Sequence, residues 1–223
     1  MKNISLQPSE ELAYWIGVVQ SDGCLSKNRI SIGINNKSLS MLKKFAKISY
    51  SIFKTTNKIT LRSRNEKNIR QFRFSIGKLL SSLKLLDVNF KDPPNPPFWC
   101  LHNYNFFGAY LAGVVDGDGN IRIKRKKYPQ CAIRIISGKK QTELYYAIRK
   151  MLNCAVSITL FDEDRMLKGK KIHGKWFELE FLVSSKNLKF VKDFILPHLT
   201  IEHKRNKLKT YIGFKSQLPH HFK

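Results

Sequence analysis

Residues 108–121 read GAYLAGVVDGDGNI and place two aspartates, Asp116 and Asp118, at the end of an apolar run. The chain around them is strongly basic, with 41 Lys and Arg against 16 Asp and Glu, a formal net charge of +25 and a pI near 10.1. A compact chain with this charge repels itself, so the composition predicts a polyanionic partner. Acids retained in such a setting indicate a specific role for them.

The same stretch occurs twice in the chain. LAYWIGVVQSDGCL at residues 12–25 matches residues 108–121 at a constant offset of 96, which pairs Asp22 with Asp118 (118 − 22 = 96). Self-similarity at a fixed spacing is the mark of a repeated structural unit. The segments that follow each copy also correspond, 29–45 with 131–148 and 71–86 with 176–195.

A proline-rich connector separates the two copies. Four prolines occupy five positions from Pro93 to Pro97, and such a segment continues neither a helix nor a central strand. We therefore predict two halves, residues 1–92 and 103–223, joined by a semi-rigid connector at residues 93–102.

Each half is predicted to fold as helix, two strands, helix, two strands, helix, which gives an α/β (α+β) protein. Ser9 followed by two glutamates is an N-cap signal for a helix that ends near Asp22. Gly23 and Gly119 follow the two repeated helices, where a residue with positive φ commonly ends a helix. The strand segments alternate apolar and polar residues, so each sheet has an apolar face and a polar, mostly basic face.

Small residues recur every four positions in both repeated helices: Ala13, Gly17 and Ser21 in the first, Ala109, Gly113 and Gly117 in the second. A strip of small side chains lets two helix backbones approach closely. We therefore predict that the helices pair in parallel about a pseudo-twofold axis, at the interface between the halves. This pairing brings Asp22 and Asp118 together at the helix ends, while Tyr14 and Trp15 serve in packing.

Two carboxylates at paired helix C-termini repel each other and also face the negative ends of the helix dipoles. A divalent cation removes both penalties, and the last-turn carbonyls of Ser21 and Gly117 can add oxygen ligands. Ligation by oxygen alone predicts Mg²⁺, with Mn²⁺ as a substitute. Asp116 aligns with Gln20 in the first copy and is predicted to be a structural hydrogen-bonding residue rather than a ligand.

At this point the residues resemble a known family. WIGVVQSDG and LAGVVDGDG are similar to the two motifs of LAGLIDADG homing endonucleases in their single-chain form, although the first copy departs at Trp15 and Gln20. The resemblance implies a monomeric saddle of two αββαββα halves with antiparallel sheets. It also implies that basic sheet faces bind a long, asymmetric double-stranded DNA target through the major groove. Metal-bound acids at the motif ends would cut both strands and leave 3′ overhangs.

The resemblance also implies roles for individual residues. Asp22 and Asp118 would be the catalytic metal ligands, Asn36 would order water, and Lys204 would complete the pocket. In the second half, Gly138 and Lys139 stand where the second water-ordering group is expected, and this departs from the family pattern.

DNA contacts are predicted for basic residues on the polar faces of the strands, many of them to phosphates and a few, particularly from arginines, to guanine edges. Residues 166–175 are read as a flexible basic hairpin that orders on DNA, or as a disordered loop. The candidates are Lys27, Arg29, Arg62, Arg64, Arg70 and Arg73 in the first half, and Arg122, Lys124, Lys126, Arg134, Lys139, Lys168, Lys170, Lys171 and Lys175 in the second.

Other functions remain open on the sequence alone. The same fold would suit an RNA maturase that binds its host intron RNA, or a DNA-binding regulator without cleavage; a basic ribosomal RNA-binding protein explains the paired acids less well. The four cysteines form no CxxC pair, and neither a signal peptide nor a membrane-spanning run is evident. We therefore expect an intracellular protein found with its host genome, in a prokaryotic cytoplasm or an organelle, encoded within an intron or intein.

Overall fold

The structure is a computed structural model that describes residues 6–63, 68–90, 93–125, 128–167 and 170–217. The first half consists of α1 (Glu10–Asp22), β1 (Gly23–Ser26), β2 (Arg29–Asn35), α2 (Leu39–Phe53), β3 (Thr60–Leu61), β4 (Ile69–Ser75) and α3 (Leu80–Leu85). A 3₁₀ helix (Phe98–His102) leads into the second half.

The second half repeats this order and adds a final helix. It consists of α4 (Tyr104–Asp118), β5 (Gly119–Lys124), β6 (Gln130–Ser137), α5 (Thr142–Leu152), β7 (Val156–Leu167), β8 (Lys170–Val183), α6 (Leu188–Phe190) with a π-helical continuation (Val191–Ile195), and α7 (Glu202–Gln217).

Each half contains one antiparallel four-stranded sheet, and the strand orders are β1-β2-β4-β3 and β5-β6-β8-β7. The two orders are the same once the second set is renumbered. This confirms the predicted α+β fold with two αββαββα repeats.

Alternation along the strands places the core on one face of each sheet. In β2, Ile30, Ile32 and Ile34 are buried, and in β4 Phe72 and Phe74 lie opposite the first two of them. Their partners on the other side come from α2 and α1, since the Phe45 ring packs on Phe72 and Phe74.

Helix α1 joins this core through Trp15. Its indole stacks on Phe45 with ring centroids 5.4 Å apart, and its Nε1 donates a hydrogen bond of 2.9 Å to the Ser49 hydroxyl. Tyr14 is equally buried. The expectation that both aromatic residues serve in packing is confirmed.

The ends of α1 and α4 differ from the prediction. Ser9 caps α1 as expected, with its hydroxyl accepting from the Leu12 amide at 3.1 Å. Gly23 and Gly119, however, are extended, with φ of −81° and −84°, so the positive φ predicted for them is wrong. The chain passes directly from helix to strand there, and a Cβ on Gly119 would lie 2.5 Å from the Val115 Cα. Close approach, rather than backbone conformation, requires glycine at this position.

The long β7–β8 hairpin is the clearest difference between the halves. Its pairing runs from Val156–Phe181 out to Leu167–Lys170, so the described part of residues 166–175 forms the outer end of a hairpin, as predicted. Cross-strand polar contacts join the strands of the outer hairpin: Asp164 pairs with Lys171 at 2.8 Å, and Asp162 contacts His173 at 2.9 Å.

All four cysteines are free thiols. Within the described ranges, none of the helices combines the length and the apolar character needed to cross a bilayer.

Candidate metal centre and nucleic-acid interface

Helices α1 and α4 pack backbone against backbone. A Cβ on Gly17 would overlap the carbonyl oxygen of Tyr110, and a Cβ on Gly113 would overlap that of Tyr14. The two contacts are equivalent in the repeat, because Gly17 corresponds to Gly113 and Tyr14 to Tyr110 at the offset of 96 (113 − 17 = 96 and 110 − 14 = 96). The helices therefore run in parallel about a pseudo-twofold axis, and their small residues form the contact between the halves.

The seam continues to the helix C-termini. A Cβ on Gly117 would overlap the Ser21 hydroxyl and lie 3.4 Å from the Asp22 Oδ2. Asp22 and Asp118 are the last residues of α1 and α4, and β1 and β5 begin at the next residue. The two acids therefore sit side by side at the point where both sheets start.

The electrostatics of the acids agree with this position. Burial raises the pKa of Asp118 to about 7, with a further upward contribution from the negative charge of Asp22, while the Lys204 ammonium lowers it. Burial also raises the pKa of Asp22, again with an opposing contribution from Lys204. Two like-charged, partly desolvated carboxylates are a set of hard oxygen donors that a divalent cation would stabilise.

Lys204 lies at the end of α4. Its Nζ donates to the carbonyl oxygens of Val115 and Asp116, both at 2.8 Å, and more weakly to that of Gly117 at 3.4 Å. A cation is favourable there because the last carbonyls of a helix lack partners within the helix. Lys204 thus neighbours the acids, as the resemblance implies, but its hydrogen bonds go to the backbone. Among the described residues, no lysine makes the equivalent contact with the end of α1.

Asp116 is a structural residue, as predicted. It is 1% exposed. Its carboxylate accepts hydrogen bonds from the Tyr14 hydroxyl at 2.8 Å, from the Thr200 amide at 2.9 Å and from the Ile201 amide at 3.2 Å. One side chain thereby ties α1 of the first half to the segment that leads into α7.

Gln20 makes the equivalent contacts in the first half. Its Oε1 accepts from the Tyr110 hydroxyl at 2.7 Å and from the Asn95 amide at 3.0 Å, and its Nε2 donates to the Asn89 carbonyl at 2.7 Å. Gln20 therefore holds the connector against α4. Tyr14 and Tyr110 also recur at the offset of 96. This repetition indicates a shared role for the two tyrosines, and the structure shows that the role includes hydrogen bonding as well as packing.

The structure does not link the proposed water-ordering residue with the acids. In the parts of the chain that the structure describes, Asn36 accepts a hydrogen bond from Arg70 Nε at 3.3 Å and bonds through its own amide to the Asn68 carbonyl. In the second half Lys139 is exposed, and its amide donates to the Ser137 hydroxyl at 3.2 Å.

Most first-half DNA candidates share the polar face of the first sheet or its border. Arg29 and Arg73 are exposed, and in the strand register they lie opposite Ser75 and Ser31. Arg62 passes over the same face, with its Cδ 3.8 Å from the position of a Cβ on Gly33. Lys27 is exposed in the β1–β2 turn, and Arg64 lies outside the described residues.

Arg70 is an exception. It lies directly opposite Ile34 in the β2–β4 register, and Ile34 points into the core. Arg70 therefore belongs to the helix-covered face, at its edge, and its placement on the polar face is wrong. The reason is strand parity, because residues 70 and 73 cannot share a face of one regular strand.

The second-half candidates fall into separate groups. Arg122 is exposed on β5. Lys175 lies opposite Asp162 and shares the face of the buried Leu179, so its predicted position on the polar face is wrong. Lys171 is an even number of positions away from Lys175 along β8, so it lies on the same face as Lys175. The side chain of Lys170, together with Lys126 and Lys168, lies outside the described residues.

Lys124 and Arg134 do lie on the polar face, but both are paired with acids. Lys124 Nζ lies 2.9 Å from Glu180 Oε1, and Arg134 contacts Glu180 at 2.5 Å and Glu178 at 3.1 Å. Alternation with the buried Leu179 and Phe181 predicts that Glu178 and Glu180 face away from the core, and the structure confirms this. Their pairing with Lys124 and Arg134 depends on strand register and was not predicted.

No group of three or more His, Cys, Asp or Glu side chains converges within the described ranges. A metal at Asp22 and Asp118 would therefore draw its remaining ligands from main-chain carbonyls, water or substrate oxygens. This donor set fits Mg²⁺, which usually keeps several waters and takes only one or two carboxylates.

No protein-family model matches the chain, and no curated protein matches it in sequence. Solved structures do match. The meganuclease I-SmaMI bound to uncleavable DNA has a TM-score of 0.55 at 13% identity, covering 97% of this chain and 92% of that one. Full-length DUF199/WhiA from Thermatoga maritima gives 0.54 at 12%, covering 96% and 63%. I-DmoI in complex with DNA and Ca gives 0.51 at 18%, covering 86% and 91%. The chain has the LAGLIDADG fold.

Proposed function

We propose that the chain is a sequence-specific, Mg²⁺-dependent endonuclease that cuts double-stranded DNA at a long asymmetric site and leaves 3′ overhangs. The observation that carries this proposal is the placement of Asp22 and Asp118, one from each half, side by side at the end of the α1–α4 seam. Residues 1–92 and 103–223 would act as two halves of a monomer joined by residues 93–102. Each half would then approach one strand of the duplex.

Asp22 and Asp118 would hold the metal, and the carbonyls of Ser21 and Gly117 would add oxygen ligands. When bound, Mg²⁺, or Mn²⁺ in its place, supplies an activated water and stabilises charge on the leaving oxygen. The chain itself contributes the rigid seam that fixes the two carboxylates. It also contributes Lys204, which anchors the end of α4 and adds positive charge beside the acids.

Two features support a duplex DNA partner. The net charge of +25 suits a polyanion, and exposed arginines such as Arg29 and Arg73 line the polar face that begins beside Asp22. I-SmaMI, with the same fold, was solved bound to DNA, and I-DmoI with DNA and Ca. A DNA partner and a divalent cation are therefore compatible with this fold.

The test is a cleavage screen against the uninterrupted sequence that flanks this reading frame, with the intron or intein removed, with and without Mg²⁺. Wild-type protein is expected to cut only with the metal. Asp22→Asn and Asp118→Asn are expected to cut at least about 100-fold more slowly, while DNA affinity changes little. Asp193→Asn, at an exposed ion pair with Lys189, is the matched control. Normal cutting by either seam variant would show that the catalytic assignment is wrong.

The same experiment separates the alternatives. Tight DNA binding without cleavage, in Mg²⁺ or Mn²⁺, would favour a regulator. Stimulated splicing of the host intron RNA without cleavage would favour a maturase.

A further inference from the structure

Four charged side chains form a compact group on the polar face of the second sheet. We call Lys124, Arg134, Glu178 and Glu180 the charge cluster. Glu180 lies between the two cations, contacting Lys124 Nζ at 2.9 Å and Arg134 Nε at 2.5 Å. Glu178 contacts Arg134 Nη1 at 3.1 Å. The cluster has two positive and two negative charges, so its formal charge is zero.

The cluster differs from the corresponding surface of the first half. There, Arg29 and Arg73 are exposed, and among the described residues no ion pair neutralises them. In the cluster the Arg134 side chain is 20% exposed, and those of Glu178 and Glu180 are 13% and 20% exposed. A phosphate approaching Arg134 would meet two carboxylates, so the cluster is a poor site for the DNA backbone.

The geometry of Arg134 suits a different task. Two edges of its guanidinium are held by carboxylates, which fixes the orientation of the planar group and reduces the entropy lost on binding. An arginine fork presented to the major groove recognises guanine through O6 and N7, and a carboxylate can accept from the cytosine amino group. A G·C pair therefore offers acceptors to Arg134 and a donor to Glu178 or Glu180.

Apolar neighbours flank the cluster on the same face. Leu182 lies opposite Ala132, and Ile136 lies opposite Glu178 in the strand register. Each of the two side chains is 41% exposed. Neither can attract a phosphate, whereas apolar side chains do contact the thymine methyl group in the major groove. The cluster and these two side chains thus carry base-reading chemistry, whereas the exposed Arg122, which lies opposite Ala132 on the same face, is available to a phosphate.

We infer that Arg134, positioned by Glu178 and Glu180, reads a guanine base in the major groove, while exposed arginines of the first sheet bind phosphates. This inference rests on the proposed function, because it requires duplex DNA on the polar faces. Arg134 is the specificity-determining residue, and the two glutamates are positioning residues. The charge cluster would therefore contribute mainly to sequence preference, and exposed arginines such as Arg29, Arg73 and Arg122 mainly to affinity.

The first experiment is selection from a library of randomised duplexes, followed by sequencing. All proteins carry Asp118→Asn so that bound duplexes are recovered uncut. The parent is expected to enrich a motif with a required G·C pair, and Arg134→Lys to reduce the preference at that position by about 5- to 100-fold. Arg73→Lys, an equally conservative change on the first sheet, is the matched control and should leave the motif unchanged.

The second experiment separates base reading from phosphate binding and from stability. Glu180→Gln leaves the cluster with a charge of +1, so the slope of log affinity against log salt should steepen by up to about one. The motif should relax at the same G·C position. Arg134→Lys keeps the charge, so its salt slope should stay unchanged. A merely structural ion-pair group would lower the melting temperature without moving either the motif or the slope.

Each result has a definite reading. If the parent selects no motif, both the proposed function and this inference are wrong. If the parent selects a motif that Arg134→Lys and Glu180→Gln leave intact in folded protein, the inference alone is overturned. Glu178→Gln provides an independent variant should Glu180→Gln fail to fold.

Discussion

The paired carboxylates of Asp22 and Asp118 destabilise the folded protein when no cation lies between them. Both are partly desolvated, and their pKa values are raised, that of Asp118 to about 7. Between its ordinary value of 3.8 and about 7, the folded protein holds a proton on Asp118 that the unfolded chain has released. Stability therefore falls as pH rises through this window.

Asp118→Asn should raise the stability of the metal-free protein at neutral pH, by about 1–3 kcal/mol. Urea unfolding from pH 4 to 8 measures this, and the variant should lose part of the decline seen in wild type. Mg²⁺ should stabilise wild type more than the variant, because the variant has lost a ligand. The exposed Asp193→Asn change should show neither effect. A less stable Asp118→Asn protein would contradict the electrostatic account.

The distance between the packed helices α1 and α4 depends on the smallest residues at their contact. Because the Gly17 and Gly113 positions face carbonyl oxygens of the opposite helix, any side chain must push the two backbones apart. Gly17→Ala should lower the free energy of unfolding by at least about 2 kcal/mol. Gly213→Ala in α7, where no atom lies within 4 Å of the added Cβ, should raise it by about 0.5–1 kcal/mol. Chemical denaturation compares the two, and equal effects would argue against the seam.

The tyrosines that cross the seam offer a second comparison between helices. Tyr14 donates to the buried carboxylate of Asp116, whereas Tyr110 donates to the amide oxygen of Gln20. Hydrogen bonds to charged groups contribute about 1.5–3 kcal/mol and neutral ones about 0.5–1.5 kcal/mol.

Tyr14→Phe should therefore destabilise the protein more than Tyr110→Phe. Equilibrium unfolding of both single variants gives the difference directly. An equal or reversed order would mean that the carboxylate of Asp116 does not strengthen its bond.

Strand pattern and helix spacing were enough to predict the repeats, the αββαββα order and the seam, because these depend on local periodicity. Register was not predictable in the same way. Arg134 meets Glu180 across 46 residues, and no local pattern joins them. The face of Arg70, by contrast, was predictable from its parity with Phe72 along β4. The contacts of Gln20 with the connector were also missed, because nothing local joins residue 20 to residues 89 and 95.

Across the two halves, positive charge is distributed unevenly. The described first sheet leaves Arg29 and Arg73 exposed, while the second neutralises Lys124 and Arg134. Enough unpaired cations remain in the chain for binding to depend strongly on counterion release.

Affinity for a duplex carrying the target should fall at least about 100-fold between 50 and 200 mM salt. Fluorescence anisotropy titrations at several salt concentrations would measure the slope. Arg73→Gln should reduce that slope by about one. A flat dependence would exclude the basic faces as the DNA surface.

The glycine contacts of α1 with α4 also limit which positions of this fold tolerate substitution. At Gly17 and Gly113 the obstacle is an opposing main-chain carbonyl, which no substitution on the other helix removes. The fold therefore places its strictest steric demands on a few seam positions, and solved structures with the same fold share only 12–18% identity with this chain.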